Sequence, residues 1–181
     1  MELSPEIRAR LLRHARASIA SYLRGNDRKD DAEQWPDLPR CGVFVTLRKS
    51  GRLRGCIGVF EALDDLPTMI WRMAVSASQD PRFVDMPLSP NELSDVRIEI
   101  SLLSPLTRID DPLGFQVGVH GIYVKQGHQV GCFLPDVASE RGWDKQTFLT
   151  QCCQQKAGLT GDAWRAPGTE IFTFTVDKFG D

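Results

Sequence analysis

The sequence predicts an α+β fold in which largely antiparallel sheet is packed by helices. Three observations carry that prediction. Residues 42–60 read as strand, turn, strand, and residues 121–134 do so again; a helical pattern follows each hairpin; a single strand follows each helix. Two hairpins do not arise from a parallel doubly wound sheet, where strands alternate singly with helices. The order hairpin, helix, strand thus occurs twice, and the chain reads as two lobes with an internal duplication, 42–104 and 121–177. A crevice between such lobes is the expected ligand site.

The first helix is expected over 4–24. Ser4 caps it and Pro5 suits its first turn. Ile7, Leu11, Ala15, Ile19, Tyr22 and Leu23 form an apolar stripe at helical spacing, and Gly25 ends it. His14 takes a half-exposed structural place on this helix. Residues 25–40 are polar and proline-bearing and read as a surface loop anchored by Trp35. Residues 42–48 are rich in β-branched and aromatic types and read as a strand. Lys49-Ser50-Gly51 makes the turn, and 52–60 returns. A helix follows at 65–79, with Asp64 or Asp65 as its cap, Pro67 in its first turn, and Leu66, Ile70, Met73, Ala74 and Ala77 inward. Asp80-Pro81-Arg82-Phe83 stops it, because a proline pushes the preceding residue out of the helical region. Residues 84–95 read as a loop. In 96–103, Val96, Ile98 and Ile100 alternate with Arg97, Glu99 and Ser101, which predicts a strand.

The second half repeats this plan. Lys125-x-Gly127-x-x-x-Gly131-Cys132 has the spacing of Lys49-x-Gly51-x-x-x-Gly55-Cys56. A helix is expected at 144–157, capped by Asp144, filled by Phe148, Leu149, Cys152, Cys153 and Ala157, and closed by Gly158. The last strand is expected at 170–177.

The bulk properties exclude several classes. The 181 residues suffice for one substantial core or two closely packed lobes. A net charge of −2 points to neither nucleic acid nor an anionic membrane, and the cluster Arg48, Lys49, Arg52 and Arg54 reads as a solvated hairpin. Met1-Glu2-Leu3-Ser4-Pro5 has neither a basic start nor an apolar segment. No apolar run approaches the ~20 residues of a membrane span, so a cytoplasmic protein is expected. Five cysteines without a Cys-x-x-Cys pair form neither a disulfide framework nor a standard zinc site. Cys56, His120, His128 and Cys132 are suitable metal ligands by type, yet no pair has a recognised spacing. On one strand, His128 and Cys132 would lie roughly 13 Å apart. No phosphate-binding glycine motif supports a nucleotide cofactor, and the cofactor stays open.

Leu53-Arg54-Gly55-Cys56-Ile57-Gly58 is the most informative stretch. With period two, Arg52, Arg54 and Cys56 point one way and Leu53 and Ile57 the other. Gly55 and Gly58 leave space near the sulfur. A guanidinium one strand repeat away, roughly 6–7 Å, favours thiolate over thiol. Two readings stand open: a reactive or ligand-binding Cys56, or a small core residue.

Gly42-Val43-Phe44-Val45-Thr46-Leu47, the LRGCIG stretch 53–58, Asp80-Pro81-Arg82-Phe83, residues 98–104, His120-Gly121, Leu134-Pro135 with Gly142-Trp143-Asp144, and Lys156-Ala157-Gly158-Leu159 together resemble the AMMECR domain family. The blocks run in order over about 42–176. The resemblance implies an α+β fold with two unequal lobes. In prokaryotes such members are similar to protein A of the AmmeMemoRadiSam gene set, which implies a Memo-like protein and a radical S-adenosylmethionine enzyme as partners in a modification pathway. It assigns no chemistry, which must be argued from a site.

As a nucleophile, Cys56 needs a base or a positive field. Arg54 is the candidate for the field and His120 for the base, with a backbone-bonded turn residue as the other reading of His120. Asp80 and Arg82 pair locally at the helix end, or Arg82 binds a carboxylate or phosphate. Glu99 is a solvent-facing strand residue or an acid on the face of Cys56, as register decides. Two functions follow. One is a small-molecule or catalytic site centred on Cys56. The other is a non-catalytic protein-binding module, or less plainly a nucleic-acid-binding one, in which Gly55 and Gly58 serve packing.

Overall fold

The computed structural model describes residues 3–26 and 34–181. In chain order its main elements are α1 (Pro5–Leu23), β1 (Gly42–Lys49), β2 (Arg52–Val59), α2 (Leu66–Ser78), β3 (Val96–Leu103), β4 (Thr107–Ile109), β5 (Gly121–Gln126), β6 (Gln129–Phe133), α3 (Pro135–Arg141), α4 (Lys145–Cys152), β7 (Glu170–Phe174) and β8 (Val176–Gly180). Two antiparallel sheets carry the α+β fold. The chain divides into two compact units, Met1–Leu102 with Asp177–Asp181, and Leu103–Val176.

The first unit holds the sheet β2-β1-β3-β8. Its core joins Leu11, Ala15 and Ile19 of α1, Met69, Ile70 and Ala74 of α2, and the inward rows Val43, Val45, Leu47 and Ile98, Ile100 of the sheet. The caps are those expected: Ser4 Oγ accepts the Ile7 N–H at 3.3 Å, and Asp65 Oδ1 accepts the Thr68 N–H at 2.9 Å. His14 is buried rather than half-exposed. Its Nε2 donates to the Pro67 carbonyl at 3.1 Å, so the ring satisfies a backbone oxygen at the start of α2. Trp35 packs against this core under the Arg10 guanidinium. Residues 27–33 of the expected loop lie outside the described residues.

The β1–β2 turn places both Ser50 and Gly51 at positive φ, 50° and 77°, the backbone that matches strand twist in a two-residue hairpin. Lys49 pairs with Arg52 and Arg48 with Leu53, but Leu47 pairs with Gly55. Arg54 is therefore the extra residue of a β-bulge. The alternation expected across 52–56 fails there: Leu53, not Arg52, shares the outward face with Arg48 and Cys56. The segment 84–95 contains a 3₁₀ turn, Pro90–Asp95, with reciprocal Ser89 and Glu92 capping bonds.

The second unit holds the sheet β4-β7-β5-β6, packed by Phe148, Leu149, Cys152 and Cys153. The helix expected at 144–157 is regular to Cys152 and widens into a π turn over Cys153–Ala157, closed by Gly158 at φ 67°. The expected strand at 170–177 is two strands. β7 joins this unit, whereas β8 lies beside β3 in the first.

In each hairpin the second motif glycine permits a close helix approach. A Cβ on Gly55 would meet the Ala77 carbonyl oxygen at 2.0 Å, and one on Gly131 the Ala157 nitrogen at 2.4 Å.

Candidate functional site

Cys56 sits half-buried in β2, the edge strand of its sheet. Its register partner is Thr46. The Cys56 backbone groups point away from β1: the N–H donates to Asp80 Oδ2 at 2.9 Å, and the carbonyl accepts from Arg82 Nη2 at 3.1 Å. Thr46 and Cys56 thus form a non-hydrogen-bonded cross-strand pair, the geometry that brings side chains closest. Thr46 Oγ1 donates to Cys56 Sγ at 3.2 Å.

The local sequence explains the Asp80–Arg82 clamp. α2 ends at Ser78, and Pro81 keeps Asp80 out of helical backbone, at φ −52° and ψ 120°. Asp80 then caps the turn Pro81–Phe83, its Oδ1 accepting the Arg82 N–H at 3.0 Å. Arg82 Nε donates to both carboxylate oxygens at 3.0 and 3.2 Å, and Nη2 to Oδ2 at 2.5 Å. The Asp80 side chain is 1% exposed and that of Arg82 53%. The Arg82 guanidinium, aided by the Cys56 and Arg82 N–H groups, holds the Asp80 carboxyl down to about 2 against the opposing effect of burial. The same bond raises the pKa of Arg82. The pair is therefore ionised at neutral pH.

The other candidates divide. Arg54 donates to the Met86 carbonyl at 2.9 Å and faces Glu92 at 3.6 Å, so the guanidinium bonded at Cys56 is Arg82. Gly55 backs onto α2, and Gly58 lies under the Phe44 ring, where a Cβ would meet the ring at 2.2 Å. The space expected beside the sulfur at Gly58 is thus filled by Phe44, and both glycines are packing residues. Glu99 shares the outward face with Arg48, whose Nε donates to it at 2.6 Å. Since Arg48 and Thr46 lie two apart on β1, register puts Glu99 on the face of Cys56, two strands away. His120 belongs to the second unit, where its Nδ1 accepts the Gln116 N–H at 3.0 Å. Thr46 and Phe44 are site residues that sequence reasoning missed. Hairpin register would have found them, had the bulge been legible.

Among the described residues no cluster of three or more His, Cys, Asp or Glu could hold a metal ion. No helix there is long and apolar enough to cross a membrane.

The model of the AMMECR1 family matches residues 12–179. The chain belongs to the AMMECR1 family. It is 40% identical over 178 residues to a protein of Methanothermobacter thermautotrophicus, covering 93% of this chain and 91% of the relative. A Methanopyrus kandleri protein is 38% identical over 179 residues, covering 93% and 86%. The crystal structure of an uncharacterised protein from Pyrococcus horikoshii superposes with a TM-score of 0.90 at 33% identity, covering 100% of this chain and 94% of that one. The LRGCIG and DPRF blocks of this AMMECR1 member are hydrogen-bonded to each other at the backbone of Cys56.

Proposed function

We propose that this AMMECR1 member works through a small-molecule or catalytic site centred on the Cys56 thiol. One observation carries the reading. Asp80 and Arg82 hold the N–H and the carbonyl of half-buried Cys56 along the free strand edge, while its sulfur accepts the Thr46 hydroxyl. Such preorganisation suits a thiol that must meet a ligand in one geometry. The test is peptide-resolved alkylation of the native protein. Cys56 is expected to label well ahead of Cys152 and Cys153, both fully buried. Labelling of Cys56 only on denaturation would make it a core residue.

A second reading rests on a different observation. Val84 and Met86 are 73% and 61% exposed, and Val84 lines a cavity of about 350 Å³ with Tyr22, Leu23, Phe83 and Leu88. Exposed apolar groups beside an apolar hollow fit a protein-binding module. Under that reading Cys56→Ala leaves partner capture intact and Val84→Asp abolishes it. Under the first, Cys56→Ala abolishes function with the fold retained.

A further inference from the structure

We infer that the Cys56 site selects small molecules carrying a carboxylate or phosphate, through the outer edge of Arg82; this rests on the thiol-site reading above. A guanidinium has five N–H donors in a fixed fork. The Nε and Nη2 groups of Arg82 are taken by Asp80 and the Cys56 carbonyl. The two Nη1 donors enter none of these bonds, and the side chain is half-exposed. The guanidinium is already immobilised by a buried carboxylate, so an arriving anion need not order it. Charge-assisted bonds from a fixed guanidinium are strong and directional toward carboxylate and phosphate.

An isolated Arg82–Asp80 pair is neutral, so the surroundings decide whether anions are drawn in. Two carboxylates near the strand bearing the thiol are each shared by two cations. Glu92 accepts Lys49 at 2.7 Å and faces Arg54 at 3.6 Å. Glu99 accepts Arg48 at 2.6 Å and faces Lys178 at 3.9 Å. Each of these groups sets two cations around one carboxylate, although the chain as a whole carries −2. Cations clustered in this way concentrate anions, and Arg82, bonded to the Cys56 carbonyl, supplies the directional donors.

The experiment compares iodoacetate with iodoacetamide, which differ in charge and little in size. With either reagent the sulfur forms a bond to the methylene carbon and iodide leaves. Rate constants are read at the Cys56 and Cys132 peptides of the same native molecules. The iodoacetate-to-iodoacetamide ratio at Cys56 is expected to exceed that at Cys132 by about five-fold, the scale of one charge-assisted contact. It should fall to the Cys132 value in Arg82→Gln. Inorganic phosphate should slow iodoacetamide at Cys56 and not at Cys132, a measurement on the unaltered chain that stands if Arg82→Gln does not fold. Equal ratios with both thiols reactive, and no protection by phosphate, would overturn anion selection and leave the thiol site standing. A Cys56 inert to both reagents would overturn the thiol site and this inference with it.

Discussion

The Asp80 carboxylate and the Cys56 backbone N–H, 24 residues apart in sequence, meet at 2.9 Å. With the Arg82 guanidinium on the Cys56 carbonyl, this places two side chains where an adjacent strand would stand. An edge strand otherwise presents unpaired backbone groups, which invite foreign pairing. The clamp closes the edge at the residue whose side chain is the candidate chemical group.

This clamp sets an acid sensitivity. The Asp80 carboxyl titrates at about 2 in the fold, against 3.8 ordinarily, chiefly because Arg82 bonds it. A lowered carboxyl pKa stabilises the fold above the ordinary value, and the stabilisation is lost as pH falls through the folded value. Asp80→Asn should cost about 2 kcal/mol at pH 7 in urea unfolding. The gap to wild type should close between pH 4 and 2; a gap unchanged down to pH 2 would place the stabilisation elsewhere.

Gly55→Ala and Gly131→Ala should each destabilise by about 1–3 kcal/mol, since the new methyl meets helix backbone that cannot swing aside. Gly168, with nothing within 4 Å of its would-be Cβ and no positive φ, is the control. Gly168→Ala should leave the urea midpoint nearly unchanged.

Gly58 differs, because its neighbour is the Phe44 side chain. Gly58→Ala should cost less in a Phe44→Ala background than in wild type. A double-mutant cycle should give a coupling beyond the roughly 0.5 kcal/mol of independent sites. Additive losses would mean the ring is not what excludes the methyl.

Burial pushes both the Cys152 and Cys153 thiols up, and both fill the second core. Cys152→Ser buries a hydroxyl in that site and should cost about 1–3 kcal/mol. The same change at half-buried Cys132 should cost less. Equal melting temperatures for the two variants would contradict this ranking.

Elements set by local chemistry were legible in the sequence: the Ser4, Asp65 and Asp144 caps, the Ser50-Gly51 turn, and the Asp80-Pro81 stop. Each needs only neighbours within a few residues. The Arg54 bulge was not legible, because hydrophobic alternation carries no mark of one unpaired residue, and that residue moved the expected field away from the thiol. The clamp was half legible. Asp80 and Arg82 read as a local pair, but their joint hold on Cys56 spans 24 residues and depends on where α2 docks. The β7–β8 break at Thr175 was hidden by a β-branched and aromatic run that continues across it from Ile171 to Val176.

β8 gives the molecule an order of assembly. It lies beside β3 in the first sheet, and Asp181 just beyond it accepts the Ile98 N–H at 2.8 Å and Arg16 at 2.6 Å. Residues 104–175 lie between those two strands in the chain. On the ribosome, the unit that begins first cannot finish first. Its sheet stays open at β3 until the nested unit has been made, and β8, which follows that unit in the chain, is the strand that shuts it.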